Sequence, residues 1–428
     1  MPDPKCQALN KHEKSLNSHA LIAKRSQSIY RALKLLPKDS FHQGGIIMKA
    51  GASYSRLNDS ARAGKEAAEE AVNASGKPAL TFLFTTDSYE QETVYHAVQE
   101  VIGDSCLIGI CAGGIIYGDT LYRNGVGVLT LAGEEIRMAT SFQSRLSNDP
   151  YSAGERAGEE LLASGIESGT VFVFPDGFSS NIAEMIRGLY NRLGPEYRYV
   201  GGGAGDNLKF FKTYQFSERG MGTDSLAVAL VSGIDIRTAI GHGWKPVGDP
   251  LVITMAKGKK LLEIDGRPAF DAYAERFEEI TEDKFPEYGM KNPLGFPDIS
   301  GNYFIRDPLA LNPDRTIDFV TEVPNNAVGS IMQGRIEELI EASGTVAKQA
   351  AAGVDNPQFA LVCECISRYL LMGDDFGKEL KVIHESIGEQ VPLIGVLTFG
   401  EVGCFEDVPF LHNKTIVIAV GGSIDDGV

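Results

Sequence analysis

The chain alternates between short apolar runs and segments whose apolar residues recur with helical spacing. The first complete unit has an apolar, β-branched and aromatic run at residues 79–85, an amphipathic segment at 89–101, and the run CLIGICAGG at 106–114. Runs of this length and composition are typical of buried strands, and the periodicity between them indicates a helix. A strand–helix–strand order requires a parallel strand pair with the helix on one face of the sheet. The unit therefore predicts a β–α–β core.

The same order returns twice further along the chain, which indicates internal repeats. The second copy comprises residues 170–176, 181–193 and 199–206, and a third, shorter echo comprises residues 359–368, 377–387 and 392–403. The last strands of the copies align as CLIGICAGG, YVGGGAGD and PLIGVLTFG. We predict an α/β protein of mixed α+β type, in which repeated strand–helix–strand units form large mixed β-sheets flanked by helices. Two packed layers and two domains are expected.

Changes in composition suggest where the parts of the chain begin and end. Residues 1–48 are expected to form a basic N-terminal arm, since the first 45 positions contain eight basic and three acidic residues. A first domain with two internal repeats is predicted over residues 49–257, and a second domain over residues 258–428. The second domain is expected to contain a helix that runs from Pro268 to Phe277 and a long irregular excursion over residues 278–308.

Composition and charge narrow the range of functions. The 428 residues include 57 acidic and 40 basic side chains, a formal net charge of −17, which disfavours nucleic acid as a partner. No apolar run reaches the roughly 18–20 residues that span a bilayer, and the start of the chain lacks the apolar core of a secretory signal. Six cysteines without a framework spacing fit a reducing compartment. We therefore expect a cytoplasmic protein with no membrane span.

Glycine-rich strand ends occupy corresponding places in the three repeats, at residues 109–114, 201–205 and 395–403. Such turns can leave backbone N–H donors open to a ligand, or they can serve tight packing between repeats. The second turn lacks the G-x-G-x-x-G spacing of a dinucleotide loop, and the chain has no G-x-x-x-x-G-K-[ST] motif. Nucleotide binding is therefore not predicted.

Charged residues stand beside two of these turns. Asp206 closes the second turn, Glu401 belongs to the third, and Arg368 ends the predicted strand beside the third. Arginine binds a carboxylate bidentately and an acidic side chain binds an ammonium group, so this set could receive a zwitterion. N–H groups of turn glycines such as Gly203 and Gly400 would complete the contacts. The alternative is an internal arginine–glutamate salt bridge.

Several motifs in a fixed order make this sequence similar to a known family. They are LIGICAGG, GGGAGDNLKFFKTYQF, GHGWKPVG, VITMAKGKKLLEIDGRPAFDAY, FALVCECISR, PLIGVLTFGEVG and FLHNKT. With these motifs the chain resembles the FIST family over nearly its whole length apart from the N-terminal arm. That family pairs a FIST N with a FIST C domain, so the resemblance implies a FIST N-like domain over residues 49–257 and a FIST C-like domain over residues 258–428.

The resemblance also implies a function. FIST domains are regarded as intracellular sensory modules of signal transduction, so a small-molecule ligand is expected, such as an amino acid or a related carboxylate. A separate signalling protein, such as a histidine kinase or a cyclase, is the expected partner. The expected ligand contacts are Arg306 and Arg368 for the anionic end of the ligand, Asp206 or Glu401 for its cationic end, and Asn413.

Two other functions stay open. One branch of the family resembles haem-binding nitric-oxide sensors, so haem is a possible cofactor, with His242 or His412 as candidate axial ligands. Each of these histidines could instead be a hydrogen-bonded structural residue. The second alternative is a thiol-dependent enzyme that uses Cys365 as its nucleophile, with His384 or His412 as the base. A cysteine in an apolar strand is usually inert, which is the competing interpretation of Cys365.

Overall fold

Three copies of one supersecondary unit account for most of the chain that the computed structural model describes, residues 48–278 and 280–424. Each copy has an edge strand, a helix, a parallel strand–helix–strand core, a short hairpin and a return strand. The return strand lies between the edge strand and the first core strand and is antiparallel to both. The predicted mixed sheets with flanking helices are confirmed. The predicted basic arm lies outside the described residues, apart from Met48.

The elements of the three copies follow the chain in order. The first copy contains β1 (Lys49–Ser55), α1 (Ser60–Ser75), β2 (Leu80–Thr85), α2 (Gln91–Ile102), β3 (Cys106–Cys111), β4 (Ile115–Tyr117), β5 (Thr120–Tyr122) and β6 (Val126–Ala132). The second contains β7 (Arg137–Ser144), α3 (Pro150–Leu162), β8 (Gly169–Pro175), α4 (Ile182–Leu193), β9 (Tyr197–Gly202), β10 (Gln215–Ser217), β11 (Gly220–Gly222) and β12 (Ser225–Ser232). The third begins with β13 (Asp235–Gly241) and is interrupted by an insertion.

The insertion forms a sheet of its own before the third copy resumes. It contains β14 (Lys245–Lys257), β15 (Lys260–Ile264), β16 (Arg267–Pro268), α5 (Ala269–Ala274), α6 (Phe285–Lys291), β17 (Leu294–Pro297), β18 (Tyr303–Arg306), β19 (Pro308–Leu311), β20 (Ile317–Phe319) and β21 (Ala327–Gln333). The third copy then continues with α7 (Ile336–Ala351), β22 (Pro357–Cys365), α8 (Ile366–Met372), α9 (Phe376–Ile387), β23 (Leu393–Thr398), β24 (Glu401–Phe405), β25 (Val408–His412) and β26 (Ile416–Gly422). Two expectations need correction here: the excursion over residues 278–308 contains α6, β17 and β18, and the helix after Pro268 stops at Ala274.

The hairpin of each copy joins the sheet of a neighbouring copy rather than its own. The hairpin β4–β5 pairs with β23 of the third copy, β10–β11 pairs with β3 of the first, and β24–β25 pairs with β9 of the second. This cyclic exchange closes a ring of three six-stranded sheets. Each glycine-rich strand end is the point at which the chain crosses from one sheet to the next.

The glycine-rich turns therefore meet, and they bond to one another through their backbones. The N–H of Gly203 donates to the carbonyl of Gly400 at 2.8 Å, and the N–H of Gly205 donates to the carbonyl of Cys111 at 3.0 Å. The N–H of Gly113 reaches the carbonyl of Leu397, also at 3.0 Å. Because Gly113, Gly203 and Gly205 already have protein acceptors, these three N–H groups are not available to a ligand.

One face of every sheet contributes to a shared central core. Phe82 and Phe84 of β2 pack edge to face against Phe172 and Phe174 of β8, with a closest centroid distance of 4.8 Å, and Phe359 of β22 joins the same cluster. The opposite faces are covered by α1 and α2, by α3 and α4, and by α7 and α9. Burial on both faces explains why the core strands read as continuous apolar runs. The expected two packed layers are wrong, because three sheets share one core.

Glycines in the second core strands let neighbouring backbones approach closely. A Cβ atom at these positions would lie 1.8, 2.0 or 2.8 Å from a carbonyl oxygen of the parallel neighbour, at Gly109 beside Leu83, Gly201 beside Val173 and Gly395 beside Val362. The same contact in all three copies supports the tight-packing interpretation of these glycines.

The described part of the chain has no helix that is both long and apolar enough to cross a membrane. Its cysteines, at positions 106, 111, 363, 365 and 404, are free thiols.

Candidate functional site

A cavity of about 430 Å³ lies where the second copy, the third copy and the insertion meet. Its walls are mostly apolar, with a few polar side chains, which is the usual composition of a small-molecule site. The second copy contributes Gly177, Phe178, Leu208 and Phe210, and the third contributes Cys365, Ile366, Ser367, Leu370, Phe399, Gly400 and Asn413. The insertion contributes Lys259, Pro286, Met290, Asp307, Pro308, Leu309, Phe319 and Val320. Cys365, Gly400 and Asn413 are thus the predicted site residues that line this cavity.

Three phenylalanines form the aromatic side of the cavity. The rings of Phe178 and Phe399 meet edge to face with centroids 5.3 Å apart, and the ring of Phe210 lies 5.5 Å from Phe178 and 5.6 Å from Phe399. Such clusters are favoured by the charge distribution of aromatic rings in addition to the apolar area they bury. Phe210 is 58% exposed, so much of its surface remains open beside the cavity.

Polar groups in and behind the cavity wall form a second part of the site, which we call its polar end. Asp307 accepts a hydrogen bond from the Ser367 hydroxyl at 2.5 Å, and its other oxygen lies 3.1 Å from the ammonium group of Lys414, which is fully buried. The amide oxygen of Asn413 accepts a hydrogen bond from Thr321 at 2.5 Å. Asp307 and Thr321 belong to the insertion, whereas Ser367, Asn413 and Lys414 belong to the third copy. The polar end therefore joins these two parts of the molecule.

Asp206 lies beside the cavity and shapes the loop that follows it. Its buried carboxylate accepts backbone N–H groups from four successive residues, 209–212, at distances of 2.8–3.3 Å. Phe210 lies on this loop, and Lys209 forms an ion pair with Asp87 at 2.7 Å. Both Asp206 oxygens are occupied, so this residue builds the cavity wall and does not face a ligand.

Arg368 lies on helix α8, not at the end of the preceding strand as the sequence suggested, since β22 stops at Cys365. Its guanidinium is fully buried and forms ion pairs with Glu364, at 3.0 Å, and with Glu379. It also donates to the carbonyls of His242, at 2.7 Å, and Leu339, at 3.1 Å. The structure thus shows the internal arginine–glutamate salt bridge, and Arg368 does not line the cavity.

Arg306 and the turn glycine Gly203 likewise donate their hydrogen bonds to acceptors within the protein. Arg306 donates to the carbonyl of Glu322 at 2.8 Å and to the carbonyls of Ile305 and Leu411 at 2.9 and 3.4 Å. Burial lowers the pKa of its guanidinium to about 10. Neither residue lines the cavity.

Glu401 is fully buried beneath the third turn. Its carboxyl group accepts hydrogen bonds from the hydroxyls of Thr398, at 2.9 Å, and Thr415, at 2.8 Å, and burial raises its pKa to about 8. In the second copy the corresponding position is Gln215, whose amide oxygen accepts the N–H of Ser225 at 3.1 Å. Burial therefore favours the protonated form of Glu401, which occupies the position where the second copy has a neutral amide.

Replacing Glu401 with glutamine is expected to remove a pH-dependent loss of stability. The folded-state pKa of about 8 lies above the unfolded value, so the contribution of Glu401 is complete below about pH 4.5 and is lost as the pH rises through 8. Between pH 6 and pH 8 the wild type should lose roughly 2 kcal/mol relative to the glutamine variant. Urea unfolding of both proteins over this range measures the difference. The exposed Glu100→Gln change is the control, and parallel pH profiles for wild type and Glu401→Gln would contradict the expectation.

The two candidate haem ligands are engaged elsewhere. Nδ1 of His242 accepts the N–H of Trp244 at 2.8 Å, which places the ring proton on Nε2, 3.1 Å from the carbonyl of Tyr303. His412 is fully buried among Phe304, Phe405 and Phe410. Burial lowers the pKa of His242 to about 4 and that of His412 to about 3. Both ring nitrogens of His242 are hydrogen-bonded to the backbone and His412 is enclosed by phenylalanines, so these environments do not fit an axial haem ligand, and neither histidine lines the cavity described above.

Cys365 reaches the cavity as a protonated thiol. Its sulfur accepts the N–H of Lys414 at 3.3 Å, and burial raises its pKa well above the usual range for a cysteine. A thiolate is the reactive form, so this environment does not activate Cys365 as a nucleophile. Across residues 48–278 and 280–424, no group of three or more His, Cys, Asp or Glu residues is placed to hold a metal ion.

Comparison with known families agrees with the resemblance that the motifs indicate. The FIST N domain model matches residues 79–267, and the FIST C domain model matches residues 269–404. The chain belongs to the FIST family. FIST domains are sensory domains of signal-transduction proteins and are thought to bind small ligands. In this FIST protein the third copy of the repeat begins at β13, within the stretch matched by the FIST N model.

Similar proteins occur in archaea and bacteria. An uncharacterized protein of Methanocaldococcus jannaschii is 24% identical over 401 residues, which cover 84% of this chain and 77% of the relative. An uncharacterized protein of Mycobacterium tuberculosis is 26% identical over 398 residues, covering 87% and 99%. Among solved structures, a cyanuric acid hydrolase from A. caulinodans aligns with 8% identity and a TM-score of 0.34, covering 89% of this chain and all of that chain. A likeness of this size carries no functional argument.

Sequence reasoning missed most of the residues that build the cavity. Asp307 adjoins the predicted Arg306, and Ser367 adjoins the predicted Arg368, so the motifs pointed to the right segments but to the wrong side chains. The aromatic wall had one available signal, the Phe210–Phe211 pair directly after a glycine-rich turn. Exposed aromatic residues next to such a turn are candidates for binding.

Proposed function

We propose that this protein is a cytoplasmic sensor that binds a small organic molecule, an amino acid or a related carboxylate, in the cavity between its repeats and the insertion. The observation that carries the proposal is the combination of an aromatic wall and a polar end in one cavity of about 430 Å³. Volumes of this order suit small-molecule ligands. The free thiols of the described residues fit a reducing compartment.

The polar end supports a ligand with charged or strongly polar groups. Asp307 and Lys259, which carry opposite charges, both line the cavity, and Asn413 and Ser367 add hydrogen-bonding groups. Asp307 has one protein contact on each oxygen, with Ser367 and Lys414, so its carboxylate keeps acceptor sites that Asp206, with four N–H donors, does not. An ammonium group would share Asp307, a carboxylate would bind near Lys259, and the apolar part of the ligand would lie against the phenylalanines. These residues take over the roles that the sequence suggested for Arg306, Arg368, Asp206 and Glu401.

The position of the cavity supports signalling. The contacts of Asp307 with Lys414 and Ser367, and of Thr321 with Asn413, connect the insertion to the third copy at the polar end. A ligand that binds one arrangement of these parts more tightly than another shifts the population between them. The changed surface would be read by a separate signalling protein, such as a histidine kinase or a cyclase.

A ligand from a panel of amino acids and organic acids is expected to raise the melting temperature of the wild-type protein and to bind in calorimetry. Leu309→Trp should weaken this binding by about tenfold or more, because Leu309 is half-exposed on the cavity wall and the larger ring narrows the opening. Val328→Trp is the matched control, since Val328 is equally exposed on the insertion but does not line the cavity. If no compound binds, or if Leu309→Trp and Val328→Trp both bind the compound with the affinity of the wild type, the proposed site is wrong.

A further inference from the structure

The loop over residues 206–212, which we name the Asp206 loop, holds an unfavourable backbone conformation. Leu208 and Phe210 have φ angles of 62° and 51°, in the left-handed region that bulky residues seldom adopt. The four N–H groups that converge on the Asp206 carboxylate hold the loop in this conformation. Backbone strain that is retained by a dedicated set of contacts is commonly associated with a functional segment.

The consequence of this conformation is the position of Phe210. Its ring touches Phe178 and Phe399 while 58% of the residue stays exposed, and Phe210 lines the cavity. The next residue, Phe211, is 86% exposed and does not line the cavity. When a ligand covers a large apolar side chain that is exposed beside a cavity, the buried apolar surface stabilises the complex.

The Asp206 loop therefore places Phe210 in an aromatic cluster that is only partly covered by protein. A planar aromatic group can add a further edge-to-face or offset contact to Phe178, Phe210 and Phe399, whereas a saturated ring of the same size contributes only its apolar area. The difference corresponds to about three- to tenfold in affinity. We propose that Phe210 is a specificity-determining residue that selects ligands with an aromatic group, and that Asp206 is the positioning residue that sets its orientation.

This inference rests on the proposed function, because it concerns the ligand of the same cavity. Two matched pairs of probes test it: phenylalanine against cyclohexylalanine, and phenylacetate against cyclohexylacetate. Calorimetry on the full-length wild type should show the aromatic member of at least one pair binding about three- to tenfold more tightly. Phe210→Ala should lower the affinity for the aromatic probe by about tenfold and clearly reduce the preference, since Phe178 and Phe399 remain, while Phe211→Ala should leave both unchanged.

Two further variants separate positioning from general damage. Phe210→Tyr keeps the aromatic ring and should keep the preference. Asp206→Asn replaces one carboxylate oxygen with an NH2 group, so two of the four acceptor sites that hold the loop become donors. Phe210 should then lose its position, and the ratio of the affinities for the aromatic and the saturated probe should fall even where the saturated probe still binds. If probes bind but Phe210→Ala retains the wild-type preference, the inference is overturned and the cavity remains a binding site. If no probe of either pair binds to the wild type while other compounds do, aromatic selection is likewise excluded; if nothing binds, the proposed function fails with it.

Discussion

Replacing Arg368 with methionine is expected to lower the free energy of unfolding by roughly 3–5 kcal/mol, the range found when one partner of a buried ion pair is removed. Glu364, Arg368 and Glu379 are all fully buried, and the arginine is the positive charge shared by the two glutamates. Without it, two carboxyl groups remain in an apolar interior. Burial already raises the pKa of Glu364, so this residue can take up a proton and the loss should be smaller at pH 5 than at pH 8. Urea unfolding at both pH values measures the effect.

Two comparisons give the Arg368 result its meaning. Arg187→Met removes an exposed helical ion pair with Glu184, which water screens, and should cost far less stability than Arg368→Met. A triple variant with leucine at Glu364 and Glu379 and methionine at Arg368 should recover most of the lost stability, because no charged group of this network remains. Equal stability of Arg368→Met and Arg187→Met would show that the buried network contributes little.

The location of Arg368 also affects how binding data must be interpreted. Ile366, Ser367 and Leu370 on the same short helix line the cavity, and Arg368 ties that helix to the carbonyls of His242 and Leu339. Removing the arginine would move cavity residues without removing a ligand contact. Loss of binding in Arg368 variants would therefore not identify it as a ligand-binding residue.

Local sequence features were sufficient to predict the strand–helix–strand order at the centre of each copy. The apolar run at residues 79–85 became β2, and the amphipathic segment at 181–193 became α4, because length and periodicity are properties of the segment itself. The exchange of hairpins between copies could not be predicted. Short strands such as β4 and β10 carry the same apolar pattern whichever sheet they join, so only the assembled structure shows which partner they have.

The candidate site was predictable only in part, because residue type does not show whether a charged group has an internal partner. Arg368 and Glu401 have the chemistry of a zwitterion receptor, yet both are satisfied inside the protein, Arg368 by Glu364 and Glu379 and Glu401 by Thr398 and Thr415. Asn413 reaches the cavity because it lies in the turn after β25. The order of the family motifs thus located the relevant turns, while the side chains facing the cavity depend on packing between copies.

The close approach of strands within each copy yields the last expectation. Gly109→Ala should destabilise the protein by about 3 kcal/mol or more, because the new Cβ would lie 1.8 Å from the carbonyl oxygen of Leu83. The clashing atoms of Leu83 belong to the backbone, so no side chain can move aside to relieve the overlap. Gly109 has an ordinary extended conformation, so the cost arises from space and not from φ. Thermal and urea unfolding of the full chain measure it.

The corresponding glycines of the other two copies allow the destabilisation to be compared with the clash distance. The clash distance is 2.0 Å at Gly201 and 2.8 Å at Gly395, so Gly395→Ala should be the least costly of the three changes. Gly377→Ala is the control, since nothing lies within 4 Å of its Cβ position on helix α9 and alanine favours a helix by about 0.5–1 kcal/mol. If Gly109→Ala were as stable as Gly377→Ala, these glycines would not be required for strand packing. Their presence in all three copies would then need another explanation.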